Sequence, residues 1–195
     1  MRPKTLQMAG FGTYIEETVI DFDKLGHGLY LICGNTGAGK TTIFDALTYA
    51  LYGRPSGENR SGEMLRSKYA TLEQPTYVRL EFSSDGKIYS VKRSPSYERK
   101  SLRGGGTTEQ PAYAELTLPD GRVITGSEQV NSRITNDILK LTHGQFTRIA
   151  MIAQGDFLKL LLAPTSERQE IFQKLFKTAN YARLTDELKD LTASA

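Results

Sequence analysis

One cysteine, two histidines and no tryptophan are spread over 195 residues. A lone cysteine excludes an internal disulfide and any metal site built from several cysteines. No apolar stretch approaches the roughly twenty residues of a membrane-spanning helix. The mean hydropathy of −0.40 agrees with a soluble chain. The opening Met1-Arg2-Pro3-Lys4 is not followed by the apolar core of a signal peptide. A reducing cytoplasm is therefore the expected setting. The net charge of +3 permits a nucleic-acid partner without demanding one. The length suits one α/β domain, with or without an appendage.

What the chain does have is concentrated at residues 34–41, which read Gly-Asn-Thr-Gly-Ala-Gly-Lys-Thr. Every fixed position of the phosphate-loop pattern G-x-x-x-x-G-K-S/T is met. Gly34, Gly37 and Gly39 allow a tight turn whose N–H groups converge on phosphate oxygens, with Asn35, Thr36 and Ala38 supplying the rest of the backbone. Lys40 can reach the β- and γ-phosphates, and the Thr41 hydroxyl can ligate Mg²⁺. A helix opening at Lys40 and continuing through Thr42 adds its positive end. The context is right for such a loop. Residues 29–33, Leu-Tyr-Leu-Ile-Cys, form an apolar run of strand length that ends at Gly34, so a buried feeder strand is expected, with Cys33 as a buried structural residue. Phe44, Leu47 and Leu51 then recur at helical spacing, and Gly53 and Pro55 end the helix. These residues make ATP and Mg²⁺ the expected ligands.

Around this motif the pattern alternates. Residues 4–8 and 18–22 read as strands, with no helix between them and the phosphate loop, which predicts an antiparallel flank. Residues 53–74 read as a loop or lid with one short helix at 63–67. Asp85-Gly86 and Asp120-Gly121 predict two hairpins, 77–82 with 87–93 and 113–118 with 122–125. Between them, residues 94–110 read as a mobile basic loop with Arg99, Lys100 and Arg103. From Ser127 the spacing becomes helical through Val130, Ile134, Ile138 and Leu141. After Pro164, Ser166 and Gln169 form a capping box, Ile171, Leu175 and Phe176 share a face, and Leu184, Leu188 and Leu191 continue a seam. That seam fits either core packing or the base of a coiled coil.

Taken together, these stretches resemble the N-terminal lobe of the SbcC family, the SMC-like branch of ABC-type ATPases that works with a nuclease subunit, SbcD. The resemblance rests on residues 8–14 (Met-Ala-Gly-Phe-Gly-Thr-Tyr), on the phosphate loop extended through Leu47, on Leu51-Tyr52-Gly53, and above all on residues 145–157 with Glu167-Arg168 and residues 171–176. It implies an α/β P-loop NTPase lobe at 1–163, with an antiparallel β flank, and helices leading to a coiled coil at 164–195. It implies that Gln154 is the Q-loop glutamine, which completes the Mg²⁺ shell and helps place the attacking water; Asp156 is a weaker candidate. Lys40 and Gln154 would then serve catalysis. Several relatives carry a polar or basic residue at position 12, and Gly12 has no side chain to offer. The signature segment, the Walker B carboxylates and the switch histidine are not found in this sequence; the family keeps them in a C-terminal lobe.

The resemblance therefore implies half of a composite ATPase site, nearly inactive in isolation. The implied partners are its own C-terminal lobe, a second head joined in the presence of ATP, the SbcD nuclease subunit docked on the helices after Pro164, and double-stranded DNA. The implied location is cytoplasmic and nucleoid-associated, in DNA repair. Another SMC- or RecF-like chromosome-maintenance ATPase, or an ATP-stabilised DNA tether, is the alternative. Arg60, Arg66, Lys68, Arg99, Lys100 and Arg103 are the positive side chains on predicted loops.

Overall fold

The computed structural model describes residues 1–26, 28, 30–57, 65–101, 104–150, 164, 165, 189 and 192. It divides into two compact units, Met1–His143 and Gly144–Ala195. The main strands of the first unit are β1 (Arg2–Ala9), β2 (Thr18–Asp21), β3 (Tyr77–Ser84), β4 (Lys87–Ser94), β7 (Tyr113–Thr117) and β8 (Val123–Thr125). They form a six-stranded, wholly antiparallel sheet in the order β2-β1-β3-β4-β7-β8. The expected antiparallel flank is thus the main sheet of the unit. Both Asp-Gly hairpins form where the sequence puts them. Asp85 and Gly86 both have positive φ, 50° and 73°, which matches the twist of the strands they join.

One face of this sheet is apolar because the strand period is two. Leu6, Met8, Val78, Leu80, Phe82, Val91, Ala114 and Leu116 are buried there. Helix α1 (Lys40–Tyr52) covers this face together with α2 (Ser127–Ser132) and the π-helical segment Arg133–Ile138 that continues it. The spacing of four between Val130, Ile134 and Ile138 suits the wider π turn, and all three are buried. The Leu139 N–H reaches back five residues to the Ile134 carbonyl at 2.8 Å.

Residues 94–110 differ from the expected mobile loop. Within them β5 (Tyr97–Lys100) pairs with β6 (Thr107–Gln110) as a separate two-stranded sheet. Arg99 Nε donates to Gln110 Oε1 at 2.9 Å, and Lys100 Nζ pairs with Glu73 at 2.8 Å. Local side-chain pairing across the two strands gives this segment order that its glycine content conceals. Of the short helix expected at 63–67, residues 63 and 64 lie outside the described residues, Leu65 is in a 3-10 helical turn, and Arg66 forms an isolated bridge with Phe11.

Arg93 is the main surprise of the core. The alternation of β4 turns it inward beside Val91, and only 2% of it is exposed. It has no carboxylate partner among its described contacts. Its guanidinium donates to the carbonyls of Ala50 (2.7 Å) and Leu51 (3.0 Å) at the end of α1, and to Asn131 Oδ1 (2.7 Å) on α2. A cation at a helix C-terminus meets the negative end of the helix dipole and the carbonyls that lack intrahelical partners. Burial depresses the Arg93 pKa to about 10. Replacing Arg93 with Met would leave these acceptors buried and unpaired. The expected loss is about 3 kcal/mol or more, read as a lower urea midpoint, and Arg93→Lys is expected to recover little of it because an ammonium lacks the guanidinium fork.

Tyr52, on the last turn of α1, donates to the Leu141 carbonyl at 3.0 Å. It also meets the His143 ring edge-on. Burial raises the Tyr52 pKa to about 12. The folded value lies above the ordinary value of 10, so the neutral phenol's contribution is complete below about pH 10 and disappears as the pH rises through 12. Tyr52→Phe should cost about 1 kcal/mol near neutrality. That deficit should close between pH 10 and 12; a constant gap across denaturation curves would show that Tyr52 is not held neutral by the fold.

Candidate nucleotide-binding site

The phosphate loop is built by two glycines in left-handed backbone, Gly37 at φ 85° and Gly39 at φ 91°. Gly39 is the N-cap of α1, and no side chain caps the helix there. The first-turn N–H groups therefore remain available to an anion. Lys40 folds across the loop, its Nζ donating to the carbonyls of Gly34 (2.7 Å) and Asn35 (2.8 Å). The Ala38 N–H returns to the Asn35 carbonyl at 3.1 Å, which closes the turn. Thr41 is exposed, whereas Thr42 is buried. The turn places Gly34, Asn35, Thr36, Gly37, Ala38, Gly39, Lys40 and Thr41 around one loop at the head of α1. Thr42 points elsewhere: its side chain lies against Gly12, where an added Cβ would stand 2.5 Å from Thr42 Cγ2. A bare backbone at position 12 is thus what lets this turn sit on the start of α1.

A triphosphate with Mg²⁺ fits these residues. A Cβ at Gly37 would meet nothing within 4 Å, so the tip of the loop is uncrowded at that residue. The donors are backbone N–H groups and one ammonium, suited to phosphate, and the exposed Thr41 hydroxyl suits a hard cation.

Three expectations are corrected here. Residues 30–33 form no strand, and Leu31 is 87% exposed. Leu29 lies outside the described residues. A buried feeder strand needs neighbours on both sides and layers on both faces, and the antiparallel sheet leaves it out. Cys33, for the same reason, is exposed rather than buried. On α1 the buried stripe runs through Ile43, Ala46, Tyr49 and Ala50, while Phe44 is 41% exposed and Leu47 only half-buried; Leu51 is buried as expected. The exposed run and the exposed face of α1 share one feature: among the described residues no second layer covers either of them.

Sequence reasoning missed the turn at Phe11–Tyr14, where the Phe11 and Tyr14 backbones bond to each other at 2.8 and 2.9 Å. Tyr14 Oη donates to the Gly39 carbonyl at 3.4 Å, and partial burial raises its pKa. The available signal was the Gly10-Phe11-Gly12 spacing, which marks a close backbone approach. Asp45 also lies on α1, buried, but its carboxylate accepts from both the N–H and the hydroxyl of Ser56 and so holds the loop after the helix. Gln154, Asp156, Ser166, Gln169 and the apolar seams from residue 171 onward lie outside the described residues, as do Arg60 and Arg103. Among the described residues no group of three or more metal-ligating side chains occurs, and no helix is long and apolar enough to cross a membrane.

Residues 5–193 match a family model described as AAA domain. The chain belongs to the AAA domain family. Nucleotide binding and ATPase chemistry go with that membership. Among individual proteins, this AAA domain is 38% identical over 188 residues to the SbcC subunit of the SbcCD nuclease from Vibrio cholerae serotype O1, covering 94% of this chain. It is 35% identical over 197 residues to the protein of the same name from Lactococcus lactis, and 34% identical over 194 to that from Treponema pallidum. The chain spans only 18 to 19% of these relatives' lengths. A solved SMC head domain from Thermotoga maritima aligns with a TM-score of 0.35 at 22% identity, over 68% of this chain and 42% of that one. That likeness is too loose to carry an argument.

Among the described glycines, Gly39 is the one least able to accept a side chain. Its φ is left-handed, and a Cβ there would overlap Thr13 Oγ1 and come within 3.0 Å of the Tyr14 ring. Gly39→Ala should cost about 2 kcal/mol through strain and displacement of the turn. It should also remove Mg·ATP binding in a calorimetric titration. Undiminished affinity would show that the loop shape does not depend on this glycine.

Proposed function

We propose that this chain is the ATP-binding half of a composite ATPase site in an SbcCD-type DNA repair nuclease. The observation that carries the reading is the combination of a complete phosphate loop with an exposed apolar segment feeding it. The loop offers Lys40, Thr41 and the N-terminus of α1 to a triphosphate. The exposed apolar side chains of Tyr30, Leu31 and Ile32 and the exposed Phe44 on α1 are surfaces a second lobe would cover. Their arrangement supports a C-terminal lobe of the same protein as the direct partner.

In this reading the chain's own residues bind and orient ATP. Lys40 would leave the Gly34 and Asn35 carbonyls to neutralise charge on the β- and γ-phosphates, and the helix N-terminus would hold the anion in place. Bound at Thr41 and Gln154, Mg²⁺ would draw charge from the phosphate oxygens. Phosphoryl transfer to water depends mainly on such positioning and charge stabilisation. The acid nearest in sequence, Asp45, is engaged with Ser56, so the carboxylate that polarises water would come from the second lobe. A second head joined on ATP binding, the SbcD nuclease subunit docked after Pro164, and double-stranded DNA complete the proposed assembly, in the bacterial cytoplasm at the nucleoid. For the DNA-tether alternative, Arg66 and Arg99 donate within the fold, whereas the Lys100–Glu73 pair lies at the exposed surface.

The test is direct. The 195-residue chain should bind Mg·ATP weakly, lose that binding in Lys40→Ala, and hydrolyse ATP very slowly. Adding a C-terminal lobe with signature and Walker B motifs should raise turnover by at least about a hundredfold. Steady multiple turnover by the chain alone, abolished by Lys40→Ala, would refute the half-site reading.

A further inference from the structure

The turn that seats the phosphate loop is itself held from behind by one arginine. The Gly12 N–H donates to the Leu65 carbonyl at 2.7 Å, and the Ser67 N–H donates to the Gly10 carbonyl at 2.8 Å. Arg66, between them, bridges to Phe11. Its half-buried guanidinium donates to the carbonyls of Thr71 (2.7 Å) and Gln74 (3.2 Å), and to the hydroxyl of Thr76. That hydroxyl in turn donates to the Gly10 carbonyl at 3.3 Å. The ring of Tyr97 on β5 lies 4.3 Å from the guanidinium carbon. One planar cation thus gathers residues 71–76, the turn and the β5–β6 hairpin. The front of the turn is the part that meets the nucleotide loop, through Gly12 against Thr42 and through Thr13 and Tyr14 against Gly39.

We propose that Arg66 is a positioning residue of the nucleotide site, acting through the Gly10–Tyr14 turn to hold Gly39 and the first turn of α1 in the anion-binding shape. The role rests on the nucleotide-binding reading above. It differs from a contact with DNA phosphate, since the fork of Arg66 is spent on internal acceptors. A lysine cannot replace it, because an ammonium lacks the planar spread that meets three acceptors and an aromatic face together.

Calorimetric titration of the 195-residue chain with Mg·ATP, well below its melting temperature, tests this. Arg66→Met keeps the apolar stem and removes the fork. It should weaken binding on the order of tenfold, as loss of a supporting partner does elsewhere. Arg66→Lys should recover little. A purely structural role would lower the melting temperature and leave the affinity of the folded protein unchanged, and that result would overturn the proposal. The path through the turn is read from a double-mutant cycle with Thr13→Gly, which loosens the contact on Gly39. The Arg66→Met loss should shrink in that background, whereas fully additive losses would overturn the route. If Arg66→Met does not fold, Thr76→Val removes one acceptor at nearly constant volume. It should weaken binding severalfold, and unchanged affinity in that variant would equally overturn the proposal. Absence of Mg·ATP binding by the unsubstituted chain would overturn the nucleotide reading and this inference with it. Binding that Lys40→Ala removes but Arg66→Met leaves intact would defeat this inference alone.

Discussion

A buried arginine with no acidic partner among the described residues fixes the geometry of this lobe. Taking a guanidinium out of water costs several kcal/mol. Arg93 offsets that through charge-assisted hydrogen bonds to two helix-end carbonyls and one amide, each worth about 1.5–3 kcal/mol. The result is directional. The end of α1 can sit in one place only, between β4 and α2, because those carbonyls must meet that fork. Apolar contact between α1 and the sheet supplies much of the attraction, but such contact tolerates sliding. The arginine removes that tolerance.

The other end of α1 carries the phosphate loop, so the two ends of one short helix answer to different constraints. At the C-terminus the constraint is an internal cation. At the N-terminus it is steric, with Gly12 and Gly39 allowing the Gly10–Tyr14 turn to lie against the helix start. Between them, the buried Asp45 secures the chain as it leaves the helix at Ser56. The helix is therefore held at its foot, along its side and at its head, and the nucleotide loop inherits that order.

Local chemistry made much of this legible. The Asp-Gly turns demanded positive φ and gave two hairpins at the right places, and the phosphate-loop spacing located the head of α1. What stayed hidden depended on partners distant in sequence. Residues 29–33 carry every local mark of a buried strand, yet burial is a property of neighbours, and the antiparallel sheet supplies none. Phe44 misled for the same reason, being apolar on a face that the described residues leave partly exposed. Arg66, Arg99 and Lys100 read as free positive charge, because sequence shows a charge but not the carbonyls or carboxylate that meet it. Arg93 was visible only as a cation on the apolar side of an alternating strand. That is a weak signal until the helix end it serves is in view.

In the proposed composite site, the exposed strip at residues 30–33 would tie lobe assembly to ligand affinity by thermodynamic reciprocity. Giving that strip a neighbouring strand fixes its backbone, at about 1–2 kcal/mol per residue in lost entropy. The strip leads straight into Gly34, whose carbonyl receives Lys40. Whatever orders the strip therefore also prepares the loop that follows it. A triphosphate that first fixes the loop lowers the cost of seating the strand, and a seated strand lowers the cost of binding the triphosphate. Such coupling must be equal in both directions. A segment left uncovered by the described residues would thereby make the two proposed associations behave as one.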